Sequence, residues 1–372
     1  MSIRRNILLT PGPATTTDSV KMAQVVPDIC PRETEFCDLV RGIRSDLVRL
    51  AGGEPDRHAC VLFSGSGTAG MEAMIASSTP AGGRIAVVVN GAYGQRLADI
   101  ATMHGLRPLV IPFAPTEPAS PRIIADALTG HPDLRALVVV HHETTTGLVN
   151  PIRAIGAIAR DRDVMFLVDA ISSLGGMPVH MADDHIDAFV SVSNKSLQGM
   201  AGVAFVMADR AALERMRGYP RRCYYLDLVG QFDSLENSGQ FRFTAPVSAL
   251  YALRRALDEL TAEGVSARWD RYRENARILR EGLRQRGFRL LLDDAIASGM
   301  MTSVLEPEAP GWSFAAFHDH LLQRGITIYP GKVSTLPTFR LATIGDLHPG
   351  DLRAVLEAMD EALRAMRCTL RA

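Results

Sequence analysis

The sequence lacks a net charge, a cysteine framework and any long apolar run. Its 40 Lys and Arg nearly balance its 41 Asp and Glu, leaving a formal charge of -1. Nothing therefore draws the chain as a whole toward nucleic acid or an anionic membrane, and charge-based recognition must be local. The five cysteines (Cys30, Cys37, Cys60, Cys223, Cys368) are odd in number and scattered. None forms a CxxC pair, so neither a disulfide framework nor a zinc site is expected, no metal is called for, and a reducing cytoplasm fits best. No uninterrupted apolar stretch approaches a membrane span. The opening MSIRRNILLTPGP has an apolar run far too short for a signal-peptide core, and Pro-Gly-Pro breaks it. Internal repeats and low-complexity segments are absent, and PTEPASP (115–121) reads as a loop between elements.

What is present suits a soluble protein of about two domains with a sizeable core: 372 residues, 47% of them hydrophobic. From about residue 58, apolar runs read as buried strands: ACVLFSG, RIAVVVNG, LRALVVVHHE, VMFLVDA, IDAFVSVS and AGVAFVMA. Helical stretches such as TAGMEAMIASS and GQRLADIATMHG lie between most of them. Strands apolar on both faces and separated by helices indicate a mostly parallel sheet covered on both sides, an α/β domain. Around residue 246 the pattern changes to two long amphipathic helices, then short strands and helices of α+β character, with a closing helix from about Pro349. The expected organisation is an N-terminal arm (1–20), a large domain (21–255) and a small C-terminal domain (256–372). The stretch YYLDLVGQFDSLENSGQFRF reads as irregular, too polar and glycine-punctuated for core.

In sheets of this kind ligands collect at the carboxyl ends of strands, and the residues there form a pattern. After ACVLF comes Ser64-Gly65-Ser66-Gly67-Thr68 and then a helix, an anion cup or simply a capped turn. It is not a Walker loop, since no Lys follows the last glycine. Tyr93 follows RIAVVVN, in a turn, where a ring can stack on a flat ligand or merely line a rim. Glu143-Thr144-Thr145-Thr146-Gly147 cluster polar groups with no turn that needs so many. Asp169 ends VMFLV, and a buried carboxylate needs a partner. Asn194 and Lys195 end IDAFVSVS. An anion cup, a flat ring, a buried carboxylate and a lysine on strand ends of one sheet fit a flat, cationic, phosphorylated aldehyde, pyridoxal 5'-phosphate. The cup takes the phosphate, Tyr93 stacks, Asp169 keeps the pyridine nitrogen protonated and Lys195 forms the Schiff base.

With these residues in view, the chain resembles the fold-type-I pyridoxal-phosphate enzymes, and among them the 2-aminoethylphosphonate–pyruvate transaminases. The likeness runs through LLTPGPATT, FSGSGTAGMEA, NGAYGQR, HHETTTGLVNPI, VDAISSLGG, SNKSLQG, FRFTAPV, IYPGKVS and FRLATIG. VDAISSLGG with SNKSLQG marks a wider group that includes alanine–glyoxylate and serine–glyoxylate transaminases. The resemblance implies a seven-stranded, mostly parallel sheet and a homodimer with shared active sites. It implies that Lys195 and Asp169 are catalytic and that Ser66, Gly67 and Thr68 meet the phosphate. Thr144 would face the ring hydroxyl, and Ile171 and Asn194 would complete the cofactor contacts. Thr244 would reach the phosphate across the dimer interface, and Arg340 would hold the anionic end of an aminophosphonate or of pyruvate.

The nearest rival is a glyoxylate-using transaminase of small amino acids. A dianionic phosphonate should need donors beyond Arg340, and Arg32, Arg242 and Lys332 are candidates, though a solvated surface charge is the commoner reading of each. A cysteine desulfurase needs a nucleophilic thiol near the cleft, and Cys223, after two arginines, is placed for a lowered pKa. A cofactor-binding regulator would want a DNA-binding segment, and there is no basic stripe.

Overall fold

A computed structural model describes residues 3–333 and 336–370. Its main sheet has seven strands: β1 (His58–Ser64), β2 (Arg84–Val89), β3 (Leu109–Pro112), β4 (Leu134–Val140), β5 (Met165–Asp169), β6 (Ala188–Val192) and β7 (Val203–Asp209). They lie in the order β1-β7-β6-β5-β4-β2-β3. Only β7 runs antiparallel to its neighbours. β5 and β6 are buried along their whole length, as helices on both faces of a parallel sheet require. The apolar runs expected to be strands supply six of the seven. The seventh, β3, is a four-residue edge strand that alternates in exposure and ends in Pro112. A proline's missing N–H is harmless at an edge, and so short and half-exposed a strand leaves little hydrophobic signature.

The large core runs from Phe36 to Leu260 and the second from Leu279 to Cys368, with Leu9 added to it. The helix Val247–Glu263 buries Leu250, Leu253, Leu257 and Leu260 in the first core. Gly264, at φ +83, separates it from the helix Val265–Gln285, whose Leu279 and Leu283 enter the second. The division expected near residue 255 thus falls inside a helix whose leucines on both sides of that point share one core. We propose that the two units part after Gly264. The arm closes on the second unit: Ile7–Leu8 pair in parallel with Ile326–Thr327. A three-stranded antiparallel sheet there sets Arg340 opposite both Ser303 and Tyr329.

The stretch read as irregular contains the helix Leu228–Ser238, which corrects that expectation. Asp227 caps it by accepting from Gly230 N at 3.0 Å, and Gly239 ends it at φ +72. Leu228, Val229, Phe232 and Leu235 are buried at helical spacing; Gln231, buried with them and donating to Leu62 O at 2.9 Å, and the more exposed Asp233 and Ser234 disguise the period. Among the described residues, no helix is long and apolar enough to cross a membrane.

Candidate active site

β5 and β6 are parallel neighbours, with Asp169 opposite Val190. Asp169 and Lys195 therefore leave the sheet at the same carboxyl edge. The segments that follow are tied to the sheet and to each other, for Ser191 Oγ in β6 donates to Ala170 O (3.1 Å) and Ser196 Oγ, beyond β6, to Ser172 O (2.8 Å). Asp169 is buried, and its Oδ1 accepts from Ile171 N at 2.9 Å. Among the described residues nothing donates to its other oxygen. Burial raises its pKa to about 6, Glu143 adds to the rise, and the Ile171 N–H and Lys195 oppose it.

Lys195 is half-buried by area, yet its amine lies deep enough that burial lowers its pKa against the pull of Tyr93 and Asp169. The amine stands 5.8 Å from the centre of the Tyr93 ring. From the other side the arm holds the stem. A Cβ on Gly12, whose φ is +141, would lie 3.0 Å from Lys195 Cγ, and Ala14 N donates to Asn194 O at 3.1 Å. This contact by the TPGP segment was not foreseen.

The helix Gly67–Ser77 starts at the end of β1. Its cap residue Ser66 is exposed and makes no side-chain bond to the helix, so hydroxyl and first-turn N–H groups are open to a ligand. A Cβ on Gly67 would meet Ile171 Cδ1 at 2.9 Å, which keeps this turn bare and Ile171 beside it. Thr68 Oγ1 accepts from Arg96 Nη1 at 3.3 Å.

Tyr93 lies in the first turn of the helix Ala92–Met103, half-buried, rather than in a turn outside it. The polar cluster 143–147 explains that helix start. Glu143, fully buried, accepts from Tyr93 N (3.2 Å), Gly94 N (3.3 Å) and both N and Oγ1 of Thr145 (3.0 and 2.6 Å). Thr145 Oγ1 accepts in turn from Ala92 N at 2.9 Å. Gly91 sits at φ −178, which any residue adopts, but a Cβ there would overlap the Glu143 carboxyl group. Gly91→Ala is therefore expected to destabilise the fold by about 1–3 kcal/mol, the usual cost of overpacking. Gly42→Ala, in the helix Thr34–Leu50 with open space around it, should be neutral or stabilising by up to ~1 kcal/mol. Urea midpoints of the two variants check the contrast.

Arg340 is 2% exposed and held by backbone: Nη1 donates to Thr144 O and Nε to Pro330 O, both at 3.1 Å. Burial lowers its pKa, and Tyr93 opposes this. Burial alone would raise the Tyr93 phenol, but Lys195, Thr144, Lys332 and Arg340 together hold it below its ordinary value. Thr244 has an exposed side chain, and its carbonyl accepts from Ser64 Oγ at 3.0 Å. No hydrogen bond joins that side chain to Ser66, Gly67 or Thr68 among the described residues.

His142 is buried with both ring nitrogens unpartnered, and burial brings its pKa to about 3, so it is neutral. Thr146 Oγ1 is likewise buried and unpartnered. Buried polar atoms without partners cost about 1–3 kcal/mol each. Together with the open oxygen of Asp169 and the bare cup, they suit a polar, phosphorylated ring compound that the chain itself does not supply. Neither His142 nor Gly12 could be singled out in advance, since HHETTTG showed only that polar groups gather.

Cys223 sits elsewhere. It faces His104 Nε2 at 3.9 Å, and His104 bonds Glu72 Oε1 at 2.9 Å. His104 follows the last turn of the 12-residue helix that begins beside Tyr93, a separation of about 18 Å. Burial raises the Cys223 thiol, with Glu72 and Asp227 adding to it. That is opposite to the lowered pKa expected from the two arginines before it and unsuited to a nucleophile.

The fold and these groups define a pyridoxal-phosphate-dependent enzyme of fold type I. Among solved structures, an alanine–glyoxylate aminotransferase from Nostoc sp. superposes with a TM-score of 0.90 at 28% identity, covering 98% of this chain and 97% of that one. The chain belongs to the class-V aminotransferases, whose family model matches residues 21–359. Two curated relatives, each a 2-aminoethylphosphonate–pyruvate transaminase, are both 40% identical to it. The one from Syntrophobacter fumaroxidans aligns over 96% of each chain. The one from Klebsiella pneumoniae aligns over 98% of this chain and 99% of its own.

Proposed function

We propose that this aminotransferase moves the amino group of 2-aminoethylphosphonate to pyruvate, giving phosphonoacetaldehyde and L-alanine. The observation that carries the reading is Arg340, a buried guanidinium fixed by two backbone carbonyls beside Tyr93, in a chain 40% identical to curated enzymes of that name. Bound pyridoxal phosphate supplies the carbonyl that accepts the amino group and the electron sink that stabilises charge on the substrate carbon. Ser66, Gly67 and Thr68 hold its phosphate, Tyr93 flanks the ring with Ile171 below the cup, and Asn194 carries the backbone into Lys195. Thr144 stands on the ring-hydroxyl side, and Asp169 keeps a proton on the pyridine nitrogen. Lys195 would anchor the cofactor through its amine, and that amine would take the proton from the amine-bearing carbon of the substrate. Arg340 orients the anionic end of both substrates. The phosphonate stands one carbon farther from the reacting carbon than the carboxylate of pyruvate does.

The same reading makes the protein a cytoplasmic homodimer, with Thr244 contributing to the partner's phosphate site. Five unpaired cysteines suit a reducing compartment. Beside Thr244 lies an exposed aromatic patch, Tyr224 and Tyr225 against Phe243 with ring centroids 5.7 and 5.3 Å apart, as a subunit interface would use.

Arg340→Lys tests the substrate claim. Lysine keeps the charge and loses the planar fork and its carbonyl anchors. A charge-assisted hydrogen bond is worth roughly 1.5–3 kcal/mol, so kcat/KM should fall about 10- to 100-fold in both half-reactions, with cofactor absorbance unchanged. Stopped-flow rates with 2-aminoethylphosphonate and with pyruvate decide. If neither slows, Arg340 does not hold the substrate. Serine and glyoxylate in the same assay measure the rival glyoxylate-type activity.

A further inference from the structure

Arg340 cannot answer a phosphonate dianion alone, because it carries one positive charge against two negative ones and two of its five N–H donors already go to carbonyl oxygens. Two of the other candidate cations are engaged elsewhere. Arg32 donates to Gln240 Oε1 at 3.0 Å. Arg242 lies 3.6 Å from Asp227, donates to Tyr224 O at 3.1 Å and covers the Phe243 ring at 5.1 Å. Lys332 differs. Its amine stands 5.2 Å from the centre of the Tyr93 ring, the same ring that Lys195 approaches at 5.8 Å and Arg96 at 4.9 Å. It is exposed, two residues past the Pro330 carbonyl that anchors Arg340, and has no ion-pair partner among the described residues.

Four cations thus gather around Tyr93: Arg96, Lys195, Lys332 and Arg340. The acids facing them are Asp169 and Glu143, both buried, with the Tyr93 and Tyr329 phenols and the neutral His142 alongside. Glu143 is held by four neutral donors, and four cations against two carboxylates leave a surplus of positive charge suited to an incoming anion. Composition points the same way. Only three of the 40 cationic residues are lysine: Lys21, Lys195 and Lys332. Lys21 pairs with Asp18 at 2.9 Å on the surface. The other two face one ring.

We propose that Lys332 is a specificity-determining residue that meets the second negative charge of the phosphonate, the charge pyruvate lacks, while Arg340 holds the charge common to both substrates. This rests on the function proposed above. An ammonium on a flexible stem can follow a group set one carbon farther out, where a clamped guanidinium cannot.

The test uses the cofactor-loaded enzyme, with Lys332→Gln and Lys332→Arg. In Lys332→Gln, kcat/KM for 2-aminoethylphosphonate should drop about tenfold, chiefly through KM, while the pyruvate half-reaction stays within about twofold. Lys332→Arg should recover most of the loss. The wild-type rise in aminophosphonate kcat/KM through the second phosphonate ionisation, near that of a phosphate at about pH 6, should flatten in Lys332→Gln. Ethylphosphonate and propionate as dead-end inhibitors supply a readout without turnover, and the preference for the phosphonate should fall about tenfold. Equal losses in both half-reactions, or an unchanged inhibitor preference, overturn the role of Lys332. A wild type that binds ethylphosphonate in this way yet never transaminates 2-aminoethylphosphonate leaves Lys332 standing as a phosphonate-binding residue and sinks the proposed substrate instead.

Discussion

Lys195→Ala is expected to abolish transamination, with a loss of about 10⁴-fold or more, since in the proposed reading one residue both anchors the cofactor and carries the proton. The amine is lowered in pKa by burial, confined by the Gly12 turn and aimed past Tyr93. It is therefore more often neutral, and more nucleophilic, than a surface lysine. Borohydride treatment followed by peptide mapping should find the cofactor fixed to Lys195 in the wild type and to nothing in the variant. Label on Lys332, whose amine lies 5.2 Å from the same ring, would move the assignment there. Because Lys332 is so near, mapping the labelled peptide is more decisive than the loss of activity.

Asp169→Asn should keep the fold and lose about 10²- to 10³-fold in single-turnover rate, the scale of removing one preorganised electrostatic contact. An amide oxygen can still accept from Ile171 N, so the local turn survives. What is lost is the charge that the proposed reading sets against the pyridine nitrogen. With that partner absent, burial raises Asp169 from its ordinary 3.8 to about 6. A raised carboxyl favours the folded state below pH 3.8, and that contribution is lost as pH rises through about 6, so by neutral pH the ionised group costs ~3 kcal/mol. The cofactor-free Asn variant should then melt no lower at neutral pH than the cofactor-free wild type. Cofactor binding requires the carboxylate, so wild-type affinity should fall about tenfold per pH unit below about 6, and the Asn variant should lose this dependence. A variant that melts well below the wild type but keeps its rate per folded molecule would make Asp169 a structural cap.

Much of this was legible because it is written in local periodicity. Short, mostly apolar runs such as AFVSV and MFLVD, alternating with helical stretches, read as strands buried between helices, and the residue types at their ends marked Asp169 and Lys195. Tyr93 and the Ser66–Thr68 cup were visible for the same reason. The edge strand β3 and the helix Leu228–Ser238 were not, because a half-exposed element carries only part of its period in hydrophobicity.

The sequence by itself determined the layered α/β fold, the strand ends and the kinds of group gathered there. Tertiary structure decided which groups meet. Glu143 finds Gly94 across 49 residues, and Arg340 finds the Thr144 carbonyl across 196. No spacing rule reaches so far: the first separation is closed by strand order, which sets β2 beside β4, and the second by how the C-terminal unit docks against the sheet edge. The arm turns Gly12 onto Lys195, again by docking. The same cause separates Lys332 from Arg32 and Arg242. All three are cations outside the helices and strands, but only docking brings one over the Tyr93 ring while a neighbouring amide and a carboxylate engage the others.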